Sequence, residues 1–274
     1  MSFDADAPRA SFDTEALLDW YERVRRPLPW RATRDPYALL VSEVMLQQTQ
    51  AARVVPYYHA FLERFPDPAA LAAAPAADAL AAWSGLGYNR RALALRRAAA
   101  VVAERGWPQD LTELPGVGPY TAAAVASFAW DAQAAAVDTN VRRVISRHDG
   151  AARGSRALAV RAAELLPAGR AAPFNQAMME LGATVCRPRR PACGGCPVRT
   201  GCAARGSEPA PARRPARRER FEDSDRWARG RIVATLVTGE PPPALAPERR
   251  ARAEAGLLRD GLAVRAADGA LRLP

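Results

Sequence analysis

Two carboxyls and four thiols are the side chains whose types and settings could do chemistry in this sequence. Glu43 lies in Ser42-Glu43-Val44-Met45-Leu46-Gln47-Gln48-Thr49-Gln50, an acid among apolar positions followed by uncharged amides. A carboxyl that apolar surroundings keep protonated is a general acid. Amides, which both donate and accept, suit the edges of nucleic-acid bases. Asp138 lies in Val137-Asp138-Thr139-Asn140, just before a helix-like segment. Its ordinary role there is a helix N-cap. To stand instead as an ionised carboxylate beside a reacting sugar, it would need Thr139 or Asn140 to take over the capping. One protonated and one ionised carboxyl are what cleavage of a glycosidic bond requires.

The thiols are Cys186, Cys193, Cys196 and Cys202, separated by six, two and five residues, and the chain has no other cysteine. Clustered in this way they read as metal ligands before disulfides. Four thiolates can hold zinc or a [4Fe–4S] cluster. The irregular spacing is not the paired CxxC…CxxC of a zinc ribbon, but by itself it leaves both open. Arg187, Arg189, Arg190 and Arg199 edge the loop and suit a phosphate contact.

A third motif is Leu114-Pro115-Gly116-Val117-Gly118. Two glycines allow a tight turn and close approach of backbone to a ligand. The amides at the start of the next helix favour an anion. The pattern is that of a helix-hairpin-helix, which binds phosphate through the main chain, and its bland counterpart is an ordinary interhelical turn. Tyr88, after Gly85-Leu86-Gly87, is either a packing tyrosine or a wedge into a base stack. His59 and His148 read as structural. Ser84 and Ser127 lack triad partners, and Asp131 and Asp149 read as loop residues.

The elements that must position these groups are helical. Asp13 can cap a helix carrying Leu17, Leu18, Tyr21 and Val24, ended by Pro27 and Pro29. Further helices are predicted from Tyr37 to Gln48, Val54 to Phe65, Tyr120 to Phe128, Val141 to Arg147, Ala157 to Leu166 and Phe174 to Val185. The alanine-rich stretch from Ala69 to Glu104 divides at Pro75 and at Gly85–Gly87. Leu111 to Leu114 reads as a helical turn. Almost no alternating strand pattern occurs before residue 205, so the body is all-α. Residues 206–220 form a Pro/Arg linker, expected to be extended. Beyond it, helices at Asp225–Val237 and Pro247–Asp260, with a hairpin turning at Asp268-Gly269, suggest a winged-helix-like module.

The chain has 274 residues and a net charge of +10, and it contains no lysine: all 39 basic residues are arginine. Such a surface attracts polyanions, and each guanidinium can meet a phosphate bidentately or stack on a base. A Schiff base on a lysine side chain is excluded. No apolar run is long enough for a transmembrane helix, and the acidic start is not a signal peptide.

In this order, SEVMLQQTQ, GLGY, LPGVGPYTA, VDTNVRRV, FNQAMMELGA and the cysteine spacing resemble the endonuclease III superfamily of DNA base-excision glycosylases, and within it the adenine DNA glycosylases of the MutY type, over residues 14–205. The resemblance implies a two-lobed helix-hairpin-helix glycosylase fold. One lobe would span residues 30–136, with six helices. The other would join 1–29 to 137–205 and hold a [4Fe–4S] cluster on Cys186, Cys193, Cys196 and Cys202. It implies Glu43 as general acid, with Asp138, Asn140 and Tyr120 in the catalytic set. Trp30, Arg31, Leu46 and Glu180 would form the adenine pocket. Gln48, Thr49, Leu86, Tyr88, Gly116, Val117 and Gly118 would contact DNA. The implied substrate is double-stranded DNA carrying adenine opposite 8-oxoguanine or guanine, acted on by a cytoplasmic, nucleoid-associated monomer with no membrane contact.

Endonuclease III-type lyases carry lysine where Tyr120 stands. A thymine-mismatch glycosylase of the same superfamily, which shares that tyrosine, and a non-enzymatic DNA-binding protein are the alternatives. The chain departs from the pattern at Asn89, where a second tyrosine is common, and at Thr139, where glycine is common. Residues 221–274 are too few for the MutT-like domain of many members.

Overall fold

The computed structural model describes residues 11–206, 220–241 and 244–274. Apart from its two ends, the predicted linker at 206–220 lies outside the described residues, as do residues 1–10. Several helices begin at a capping side chain. Helix α1 (Thr14–Val24) starts at Asp13, whose carboxylate accepts from Ala16 N at 2.9 Å. Asp35 caps α2 (Pro36–Leu46) through both oxygens, at 3.1 Å to Tyr37 N and 3.2 Å to Ala38 N, and Pro36 occupies the position where a missing N–H costs nothing. Then follow α3 (Ala51–Arg64), α4 (Pro68–Ala73), α5 (Ala76–Trp83) and α6 (Arg90–Arg105), which stops at Gly106 with φ +76°. After them come α7 (Pro119–Trp130), α8 (Thr139–His148), α9 (Ser155–Leu165) and α10 (Ala171–Thr184). The C-terminal module has α11 (Asp225–Thr238), α12 (Pro247–Arg259) and the antiparallel pair β1 (Val264–Arg265) and β2 (Leu271–Arg272), turning at Gly269.

The described residues form two units. The first joins 11–27 to 119–206. Its core brings Leu17 and Tyr21 of α1 together with Val144 and Ile145 of α8, Leu158 of α9, and Phe174, Met178 and Leu181 of α10. The second joins 28–118 to 220–274, with Phe61, Leu71, Leu80, Trp83 and Leu95 among its fully buried side chains.

The division differs from the one expected. It falls between Gly118 and Pro119, not between 136 and 137, and α7 belongs with the cysteine-bearing unit. The reason is apolar burial plus one polar tie. Helix α7 buries Ala124, Val125 and Phe128 and packs on α10, where Asn175 Nδ2 donates to Ser127 Oγ at 2.9 Å. The tail is also not a separate body. Helix α11 packs on α5, so residues 220–274 share a unit with 28–118. Among the described residues no helix is long and apolar enough to cross a membrane.

The glycines of the Leu114–Gly118 turn have different duties. Gly116 has φ +81°, and a Cβ there would lie 2.7 Å from the Ala94 Cβ of α6. Val117 closes the turn by donating to Leu114 O at 3.0 Å and buries its side chain. A Cβ on Gly118 would meet nothing within 4 Å. Gly116→Ala is therefore expected to cost about 1–3 kcal/mol in urea unfolding, from the left-handed backbone together with the steric clash. Gly118→Ala should leave the unfolding midpoint unchanged. Equal stability of both variants would refute this division.

Candidate active site

In the 28–118 unit, Glu43 is 4% exposed on α2, a helix buried continuously from Tyr37 to Met45. Glu43 is thus not a surface side chain. The helix was expected to reach Gln48 but stops at Leu46, and the cause is a residue that sequence reasoning missed. Arg91 of α6 donates to the carbonyls of Val44 (2.7 Å), Met45 (3.1 Å) and Gln47 (2.6 Å), and to Gly87 O (3.2 Å). Burial pulls Arg91 down to about 10, which leaves it charged at neutral pH.

Beyond that helix end, Gln48 (φ +57°) and Tyr88 (φ +50°) both take left-handed backbone, and the Tyr88 hydroxyl donates to Gln48 Oε1. Tyr88 is 38% exposed. Thr49 is half-buried, with its hydroxyl 3.4 Å from Arg91 Nη2. Leu86, expected at the DNA face, is instead buried, its amide bonded to Trp83 O at 3.1 Å. Trp30 is also core, packed edge-on against Tyr58 with ring centroids 5.5 Å apart, while Arg31 and Leu46 are half-buried.

In the other unit, Asp138 is itself the N-cap of α8. Its Oδ1 accepts from Val141 N at 2.7 Å and its Oδ2 from Asn140 Nδ2 at 2.7 Å. The expectation that Thr139 or Asn140 must take over the cap is corrected. Each carboxylate oxygen has more than one acceptor site, so one group can cap a helix and still face a cation. Asn140 Oδ1 in turn accepts from Arg143 Nη2 (2.7 Å), which also donates to Gly182 O (2.7 Å), while Arg143 Nε donates to Cys186 O (2.7 Å). A Cβ on Gly182 would lie 2.5 Å from Asn140 Cβ, so glycine lets α8 begin directly against α10. The loop that delivers Asp138 hangs on Asn175, which donates to Ala134 O (2.8 Å) and accepts from Ala136 N (3.0 Å).

Tyr120 opens α7 with its hydroxyl 3.8 Å from Met179 Sδ. Glu180 is fully buried on α10 and takes a bidentate bond from Arg26, at 2.7 and 2.8 Å. Arg26, which carried no signal in the sequence beyond its charge, is thus the counter-ion of an expected pocket residue. Asp149, read as a loop residue, accepts from Arg153 (2.9 Å) and Arg161 (3.0 Å).

The four cysteines are half-buried free thiols, and Cys186 and Cys196 rest on the core of their unit. Burial pushes the Cys196 thiol up to about 11, reinforced by Cys186, Cys202 and Cys193 as electrostatic neighbours. Arg147 Nη1 lies 3.4 Å from Cys186 Sγ and supplies positive charge beside the thiols. Among the described residues no three ligating side chains converge to metal-binding distance. The donors are nevertheless all thiols, adjacent and not bridged by disulfides, a set that suits a thiolate-bound metal group.

Residues 41–167 match the family described as HhH-GPD superfamily base excision DNA repair protein. The adenine DNA glycosylase of Mycobacterium tuberculosis is 44% identical over 97% of this chain and 95% of its own length. The structure of a thermostable thymine-DNA glycosylase superposes with a TM-score of 0.64 at 33% identity, covering 70% of this chain and 94% of that one. Endonuclease III in a trapped covalent complex with DNA superposes at 0.61 with 24% identity over 70% of this chain and 92% of its own, a likeness of fold. A buried acid in a helix-hairpin-helix framework and a relative matched from end to end lead to one conclusion: the chain belongs to the adenine DNA glycosylase family within the HhH-GPD superfamily of base excision DNA repair enzymes.

Proposed function

We propose that the protein hydrolyses the N-glycosidic bond of adenine mispaired with 8-oxoguanine or guanine in duplex DNA, acting as a monomer. The observation that carries this reading is Glu43, a nearly buried acid on the helix that ends just before the exposed Gln48, whose amide bonds the Tyr88 phenol. The name of the M. tuberculosis relative supports adenine as the released base.

The base must leave the stack before a side chain reaches it. Tyr88 and Gln48 would fill the gap, and the Gly116–Gly118 turn would hold phosphate through backbone amides. Glu43 would then protonate adenine N7. Breaking the bond to C1′ leaves an oxocarbenium-like sugar, whose charge Asp138 meets as an ionised carboxylate. Glu43, now deprotonated, takes a proton from the water that completes hydrolysis. Tyr120 stands where a lysine would form an imine, and the chain has no lysine side chain to offer. Cys186, Cys193, Cys196 and Cys202 would hold a [4Fe–4S] cluster, which when bound cross-links their loop.

The test is single-turnover release of adenine from a duplex with adenine opposite 8-oxoguanine. Glu43→Gln is expected to lose at least about a hundredfold in rate with duplex binding retained. Asp138→Asn should lose as much; asparagine keeps the cap on Val141 but not the acceptor for Asn140 Nδ2, so stability should fall by only about 1 kcal/mol. Near-wild-type release by either variant sinks its assignment, and release of thymine from a G·T duplex in place of adenine would favour the thymine-mismatch reading. For the cysteines, the purified protein should carry about four iron and four sulfide per chain, lost in Cys196→Ser. One zinc with no sulfide would overturn the cluster.

A further inference from the structure

A ladder of alternating rings and guanidiniums joins the C-terminal module to the exposed turn after α5. Arg91 lies over the fully buried Trp83 at 5.3 Å and over Tyr88 at 5.3 Å. Arg226 of α11 covers Tyr88 at 4.8 Å and also lies over Phe221 at 4.9 Å. Guanidiniums favour the faces of aromatic rings. Among the described residues neither Arg91 nor Arg226 pairs with a carboxylate, so two positive charges remain beside an exposed ring.

Hydrogen bonding gives the ladder a direction. Arg226 Nη1 donates to the Tyr88 hydroxyl, and that hydroxyl bonds Gln48 Oε1. A guanidinium cannot accept, so the single phenolic hydrogen is left for Gln48. The amide must therefore turn its oxygen toward Tyr88, which leaves its NH2 for a partner outside. Without Arg226 the phenol could accept instead, and the amide could take either orientation. Both Gln48 and Tyr88 occupy left-handed backbone that their side chains disfavour, so contacts such as these hold them in place.

We propose that Arg226 is a positioning residue for reading the base opposite the adenine. By setting the polarity of the Arg226–Tyr88–Gln48 chain, it makes Gln48 present donors. An opposite base that offers an extra acceptor oxygen, as 8-oxoguanine does at C8 and guanine does not, is then preferred. The inference rests on the reading above, in which Gln48 and Tyr88 meet that base. It gives residues 221–274 a function to which their sequence offered no clue.

Single-turnover adenine release is compared on duplexes with 8-oxoguanine or guanine opposite adenine, using the full chain. The variants are Arg226→Ala, Tyr88→Phe, Gln48→Ala and the double change at 226 and 48. Arg226 is exposed on α11, so its truncation is compatible with folding. Tyr88→Phe keeps the ring and its stacking while removing the relay. Arg226→Ala and Tyr88→Phe are each expected to lower the ratio of the two rates about tenfold, the effect of losing one oriented hydrogen bond. The double variant should fall no further than Gln48→Ala alone. An unchanged ratio in Arg226→Ala, a ratio kept in Tyr88→Phe, or additive losses in the double variant overturns the proposal. A wild-type chain that releases adenine from neither duplex sinks the glycosylase reading itself and the proposal with it, and the wild-type measurement alone identifies that case.

Discussion

A helix that ends inside a protein must find donors for its last carbonyls, and here one guanidinium supplies them. Helix α2 is buried from Tyr37 to Met45, so the carbonyls of its last turn depend largely on protein donors. Arg91 supplies them: its Nη1 lies within hydrogen-bond distance of the Val44, Met45 and Gln47 carbonyls, and its Nη2 reaches the Gly87 carbonyl on the turn after α5. Each buried carbonyl left without a donor would cost about 1–3 kcal/mol. The same residue lies beneath the Tyr88 ring. The end of the helix that carries Glu43 and the placement of Gln48 and Tyr88 thus depend on a single side chain.

Asp138 shows how a helix cap fixes a carboxylate. As an N-cap its carboxylate is fixed by the Val141 amide and by Asn140, and its orientation needs no further support from substrate. The cost of building that position lies elsewhere. Asn175 satisfies the backbone of the approaching loop, Arg143 ties Asn140 to the cysteine loop, and Gly182 gives up a side chain so that α8 can begin against α10.

Local chemistry made much of this legible in the sequence. Aspartates before prolines, prolines at helix ends and the glycine turns are short-range signals, and the helices lie within a few residues of where those signals put them. What escaped depends on contacts distant in the chain. Arg91 was one arginine among many, and only its bonds across more than forty residues to the end of α2 distinguish it. Asn175 carried a weak signal, an amide amid apolar helix positions, inside a motif noted for other reasons. The pairing of Arg26 with Glu180 and the docking of α11 on α5 had no local signature at all. The unit boundary was misplaced for the same reason: the apolar run of α7 announces burial but does not say against which partner.

The absence of lysine follows readily from compositional bias, yet it has consequences the fold uses. A ladder that alternates rings with cations needs a flat cation, because an ammonium carries the charge but has no plane to stack. In a chain whose every basic side chain is a guanidinium, this structural role and the attraction to phosphate draw on the same residue type. The chemistry is narrowed by the same fact. No lysine side chain exists to capture a sugar as an imine, which under the proposed mechanism leaves the cation at C1′ to Asp138 and water.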